Sequence, residues 1–140
     1  MHVDVASLME EPLTVACRTT EGGADVWRTA VVTGFWHEEA ERSASGWEVQ
    51  PASTFEVQIP GCAAEEYVRP LDYDGEGWTL RPGDRVARGE AECDGDLAGL
   101  SEAFEGLPCF TVTEAEDLRV AGAPEEGPGK WTSILWCKGE

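Results

Sequence analysis

The sequence predicts a mainly β domain, a small barrel or compact sandwich with one short α-helix. Three observations carry that expectation. Segments of strand length, rich in Val, Thr, Trp and Phe, recur along the 140 residues between Gly-, Pro- and Asp-containing breaks. The stretch Gly77–Glu92, GWTLRPGDRVARGEAE, reads as strand, tight turn and strand. One segment, Asp96–Leu107, places its apolar residues at helical spacing.

Residues 1–11 precede the first strand and are expected to form a flexible N-terminal arm. Leu13–Arg18 (LTVACR) is the first strand, and Glu21–Asp25 (EGGAD) is a turn. Val26–Trp36 is β-branched and aromatic, hence a long strand, with Gly34 marking a bulge or kink. His37–Ser45 (HEEAERSAS) breaks the pattern with charge and small polar residues. A long loop is therefore expected over about 37–53, at the tip of an extended hairpin. In Phe55–Ile59 the apolar residues Phe55, Val57 and Ile59 fall on one face, and Pro60-Gly61 ends the run. Glu65–Arg69 is short, and Asp72–Gly75 is turn-rich.

Trp78–Leu80 has strand character. Pro82 presets φ for the next turn and Gly83 supplies the positive φ that a type II turn needs. Arg85–Arg88 then alternates polar with apolar. In the helical segment Leu97, Leu100, Phe104 and Leu107 share one face. Asp96 is its N-cap, and Gly106-Leu107-Pro108 stops it. Cys109–Val120 returns to strand, with a break at Glu114–Asp117. Ala121–Gly129 is a Pro/Gly loop, and Lys130–Cys137 is the last strand. The whole reads as one domain over 1–140, with the helix covering an opening of the barrel.

Charge bounds the partners. Ten Lys and Arg stand against 28 Asp and Glu, a net −18. The excess is spread evenly: residues 1–70 hold 12 acids and 4 bases, residues 71–140 hold 16 and 6. Gripping phosphate backbones takes clustered Lys and Arg, so tight nucleic-acid binding is excluded. The acidity is either a solubility device, the mark of a generally acidic proteome, or functional. The five cysteines include no C-x-x-C pair, so the usual zinc spacings are missing. The N-terminal stretch has no basic region followed by an apolar run, and no segment approaches the roughly 20 apolar residues of a membrane span. Free thiols in a reducing cytoplasm are expected.

Catalytic residues, metal ligands and cofactor motifs are not found. There are two histidines. His37 with Glu38 and Glu39 would make a metal site only if further ligands converged, and a solvated loop is the preferred reading. Asp94-Gly95-Asp96 resembles the start of a calcium loop, but Ala98 stands where the fifth position needs an oxygen. Of six tryptophans, Trp27, Trp36, Trp78, Trp131 and Trp136 lie in predicted strands and are expected in the core. Trp47, beside the long loop, is a protein–protein anchor or a satellite core contact.

The order of the pieces resembles a known family. A hairpin ends in F-x-V-x-IP (Phe55–Pro60), and Tyr67 follows. Then come WTLRPGDRVARGE, a short helix and a strand reading FTVT. Asp117, Arg119, Ala123 and Pro124 follow as D-x-R…AP, before a KW segment that runs to KGE at the C-terminus. Over roughly Val26–Gly139 this is similar to neck proteins of tailed phages and prophages of Gram-positive bacteria, the head-closure or head–tail connector type of small β-barrel. The departures are the acidity and the Glu-rich loop. The resemblance implies a non-enzymatic virion protein without cofactor, made in the host cytoplasm and built into the neck. It implies a homo-oligomeric ring, 12-fold or 6-fold, between portal or adaptor proteins and tail-completion proteins. Genomic double-stranded DNA would pass through without tight binding, and no membrane is involved. Within that picture His37, Glu38, Glu39, Glu41, Arg42, Trp47 and Glu48 form a channel or gating loop. Arg81, Arg85 and Arg88, three of the ten bases, would meet an acidic face at an assembly interface. A tail-completion or minor capsid role is the alternative within the class. A small metal-binding or enzymatic accessory protein is the alternative outside it.

Overall fold

The computed structural model describes residues 10–41 and 52–140. Strands β1 (Glu11–Glu21), β2 (Ala24–Glu41), β3 (Ala52–Pro60), β4 (Arg85–Arg88), β6 (Cys109–Leu118) and β7 (Ile134–Gly139) form a closed antiparallel barrel. Its order is β1-β4-β6-β7-β3-β2, and β1 pairing with β2 closes it. A two-residue strand, β5 (Asp94–Gly95), adds to β2 at Trp27 and Arg28. Helix α1 (Leu97–Ala103) follows it. The expected class, a small barrel with one short helix, is what the chain forms.

Local chemistry explains the junctions. Glu21 pairs with Ala24, leaving Gly22 and Gly23 as a two-residue hairpin loop with φ of 59° and 82°. Positive φ at both positions matches the twist of the flanking strands. Gly34 is the corner of the barrel: up to it β2 pairs with β1, and beyond it with β3. A Cβ there would lie 2.6 Å from the Gln58 carbonyl oxygen, so only glycine lets the strands approach this closely.

Strand β1 is buried on both faces from Leu13 to Cys17. Leu13, Val15 and Cys17 point into the main core with Val57, Ile59, Val86, Val112 and Leu135. Ala16 points outward, but a second cluster of Trp27, Ala87, Leu100 and Phe104 covers it. The helix ends at Ala103, short of the expected Leu107, and seals the outer face of the barrel wall rather than an opening of the barrel. Asp96 caps it, accepting the Gly99 N–H at 2.8 Å. Each large side chain fully buried here contributes about 1.5–3 kcal/mol. At one end Trp36, Phe55 and Phe110 meet with ring centroids 5.4 Å apart.

Several sequence expectations are corrected. Trp78–Leu80 is not a strand paired with β4. The turn forms as expected, with the Asp84 N–H donating to the Arg81 carbonyl at 3.1 Å and Gly83 at φ 95°. The segment before it has other partners: Trp78 donates to Glu66 at 3.1 Å, and Thr79 donates to Cys17 Sγ at 3.3 Å. β4 pairs instead with β1 and β6. β2 does not end at Trp36 but runs on to Glu41, and β3 begins at Ala52, so residues 37–41 and 52–53 of the expected loop are strand and the rest of it lies outside the described residues. Cross-strand hydrogen bonding outweighs the poor strand propensity of Glu38 and Glu39. β1 already begins at Glu11, within the segment read as an arm; residues 1–9 lie outside the described residues. The last strand is Ile134–Gly139, because Pro128–Thr132 takes a 3-10 turn that holds Trp131. Trp27, Trp36 and Trp78 are buried, whereas Trp131 and Trp136 are half-buried.

Candidate functional site

Three places carry the polar side chains of interest. The first is the arm at the end of β2 and β3. β7 stops at Gly139 opposite Phe55, but β2 and β3 continue pairing through Glu39–Thr54 to Glu41–Ala52. Barrel alternation ends after Trp36, since Glu38 occupies the next inward register position and is exposed. His37 and Glu39 lie on the opposite face, also exposed, with His37 stacked on Phe35 at 6.5 Å. Thus both described faces of the arm present carboxylates to solvent. Glu41 ends β2; Arg42, Trp47 and Glu48 lie outside the described residues.

The second is the arginine group. Arg81 donates to Asp84 at 3.0 Å and to the Arg18 carbonyl, and its guanidinium lies over the Tyr73 ring. Arg85 covers the Trp27 ring at 5.5 Å, on the helix side. Arg88 pairs with Glu11 at 2.9 Å. The structure therefore spreads the three over different surroundings, and each guanidinium already has a contact within its own chain. Behind Arg81 sits a buried polar group that sequence reading missed. Burial holds the Asp84 carboxyl above the usual range, against the pull of Arg81. It pushes the Cys17 thiol up to about 12, so this cysteine is no nucleophile near neutral pH. The alternation of β1 signals that Cys17 faces inward, but nothing in the sequence pairs it with Thr79.

The third is a groove of about 490 Å³ between the second half of β6 and the segment Tyr67–Asp72. Leu80 and Ala115 lie in it, and Arg69 and Leu71 stand on the far wall. Asp117 accepts Arg119 Nε at 2.9 Å and a second guanidinium nitrogen at 2.8 Å. That bonding lowers the Asp117 carboxyl. Arg119 in turn covers the Tyr67 ring at 4.7 Å. The only sequence sign of this unit is the D-x-R spacing, Asp117 to Arg119 at the end of a strand. No group of three or more His, Cys, Asp or Glu converges to hold a metal among the described residues. Nor is any helix there long and apolar enough to cross a membrane.

Most of this barrel, all but β7, falls within a recognised sequence family. The chain belongs to a family of unknown function (DUF6751). The match covers residues 9–125, which includes β1 through β6, both strands of the arm and both walls of the groove. No curated protein matches the chain, and no solved structure does.

Proposed function

We propose that this chain is a non-enzymatic structural subunit of a tailed phage or prophage, assembling as a ring at the head–tail interface. The observation that carries the reading is the β2–β3 arm. It leaves a rigid closed barrel and carries exposed Glu38 and Glu39 where packing no longer dictates residue choice. In a ring, such arms facing a central channel would repel DNA phosphates and let the genome pass without adhesion. The net charge of −18 gives every copy the same sign of field. Ring contacts between identical subunits are head-to-tail, so two different surfaces of each barrel would be complementary.

The test is to tag the chain in a producing host and locate it by cryo-EM of purified particles. Density for the barrel below the portal, repeated around the particle axis, supports the reading. Its occurrence elsewhere, or its absence from particles, overturns it. In particles that carry the chain, Glu38→Lys with Glu39→Lys is expected to impair DNA release or retention while the ring still assembles.

A further inference from the structure

The second half of β6 has an edge that the barrel does not use. Thr111 exchanges both backbone hydrogen bonds with Glu140, at 3.1 and 3.2 Å, so it faces β7. Val112 faces the other way, its N–H donating to the Asp84 carbonyl at 2.8 Å. A bulge then lies between Val112 and Glu114. Beyond it Glu114, Glu116 and Leu118 stand opposite Lys138, Trp136 and Ile134, the β7 residues with the same parity as Glu140. Antiparallel alternation therefore turns the N–H and C=O of Ala115 and Asp117 toward the groove. No backbone hydrogen bond from Tyr67–Leu80, the segment across the groove, reaches them.

We infer that this groove receives an extended segment of a different polypeptide, which adds to the β6 edge as a strand and alternates apolar with basic residues. Main-chain bonds to Ala115 and Asp117 would hold its backbone. Leu71, fully exposed on the opposite wall, and Ala115 and Leu80 in the groove offer contact to its apolar side chains. The basic character follows from charge. Glu116 and Asp72 line the groove without an ion-pair partner among the described residues, Arg69 offsets one of them, and Asp117 is neutralised by Arg119, so the groove keeps an excess carboxylate. A second copy of this chain, itself at −18, is the wrong partner for that edge. The inference stands on the sheet edge and does not use the ring reading.

The probe is a fluorescein-labelled eight-residue peptide alternating Val and Lys, titrated into the full chain and followed by anisotropy. Controls are the Val/Glu peptide and a Val/Lys peptide N-methylated at alternate residues. Saturable binding of the first is expected, with the N-methylated peptide weaker by about tenfold, the effect of losing one or two net hydrogen bonds. Ala115→Pro removes an edge N–H without touching the β7 ladder and is expected to weaken binding by about the same factor. Leu71→Ser, at a fully exposed side chain, is expected to weaken it by a smaller factor while leaving the fold intact. Should Ala115→Pro not fold, amide exchange on the unaltered chain decides: peptide binding must slow Ala115 and Asp117. No binding, equal binding of the N-methylated peptide, or unchanged exchange at those two amides overturns the inference.

Discussion

Strand β2 is two different objects on either side of Gly34. Before it, from Ala24, every residue pairs with β1, and Trp27 and Val32 are buried. After it, Phe35–Glu41 pairs with β3, and exposed Glu38 replaces the inward apolar residue. The first half is wall, its inward residues fixed by packing as Trp36 still is; from His37 on the strand is an arm, its described side chains free of that constraint. β6 repeats the division. Cys109–Thr111 pairs with β4 and Val112 bonds to Gly83 and Asp84, whereas among the described residues Glu114–Leu118 pairs with β7 alone. Both candidate sites lie where a strand outruns the closed barrel, because only there do side chains and backbone groups remain uncommitted.

The largest effect is expected at the corner. Gly34→Val would press on the Gln58 carbonyl and on Leu13 Cδ1, 2.6 and 3.1 Å from even the first added carbon. A loss of about 3 kcal/mol is expected from forced overpacking. Leu13→Ala, on the wall side, is expected to cost about the same by leaving a cavity. Glu38→Ala and Glu39→Ala, on the arm, should each stay within about 0.5 kcal/mol. Urea unfolding of the four variants checks the ranking. An arm substitution as costly as Leu13→Ala would show that the arm is part of the packed body.

The wall was legible in the sequence and the division was not. Alternation at Phe55, Val57 and Ile59, the turn residues Pro82 and Gly83, and Leu100 and Phe104 of the helix face were all readable, because burial and backbone geometry restrict those positions; Leu97, read onto the same face, is exposed. Gly34 was visible as a kink. What failed was decided by distant partners. Trp78–Leu80 looks like a strand by composition, but Cys17 and Glu66 take its backbone groups, 62 residues away in the case of Thr79. His37–Glu41 looks like loop because charge usually marks one, yet β3 supplies a ladder that tolerates it. The groove had no local signal beyond D-x-R, since its walls come from segments separated by some 45 positions.

The cysteines give a medium-sized test of the same division. Cys17 and Cys137 belong to the wall, and burial pushes both thiols up to about 12. Cys62 and Cys109 are exposed. A thiol reagent at neutral pH is expected to modify Cys62 and Cys109 within minutes. Cys17 and Cys137 should react only at the rate of global unfolding. Mass spectrometry of timed digests reads the order. Rapid labelling of Cys137 would mean that β7 opens away from β3 and β6 without unfolding the barrel.

The smallest effect expected separates two aspartates by sign. Asp84, in the wall, has its carboxyl raised by burial. Asp117, at the free edge, has its carboxyl lowered by the hydrogen bond from Arg119. A raised acid contributes stability that is complete below its ordinary value and is lost as pH rises through the folded value. A lowered acid contributes stability present above its ordinary value and lost as pH falls through the folded one. Replacing each by Asn fixes a neutral side chain and removes that dependence. Between pH 3 and pH 7, Asp84→Asn should therefore gain on the parent chain, and Asp117→Asn should fall behind it. Urea unfolding at the two pH values measures both differences. Slopes of the same sign would mean that the edge is as dehydrated as the wall, and that β6 is covered where the comparison has it open.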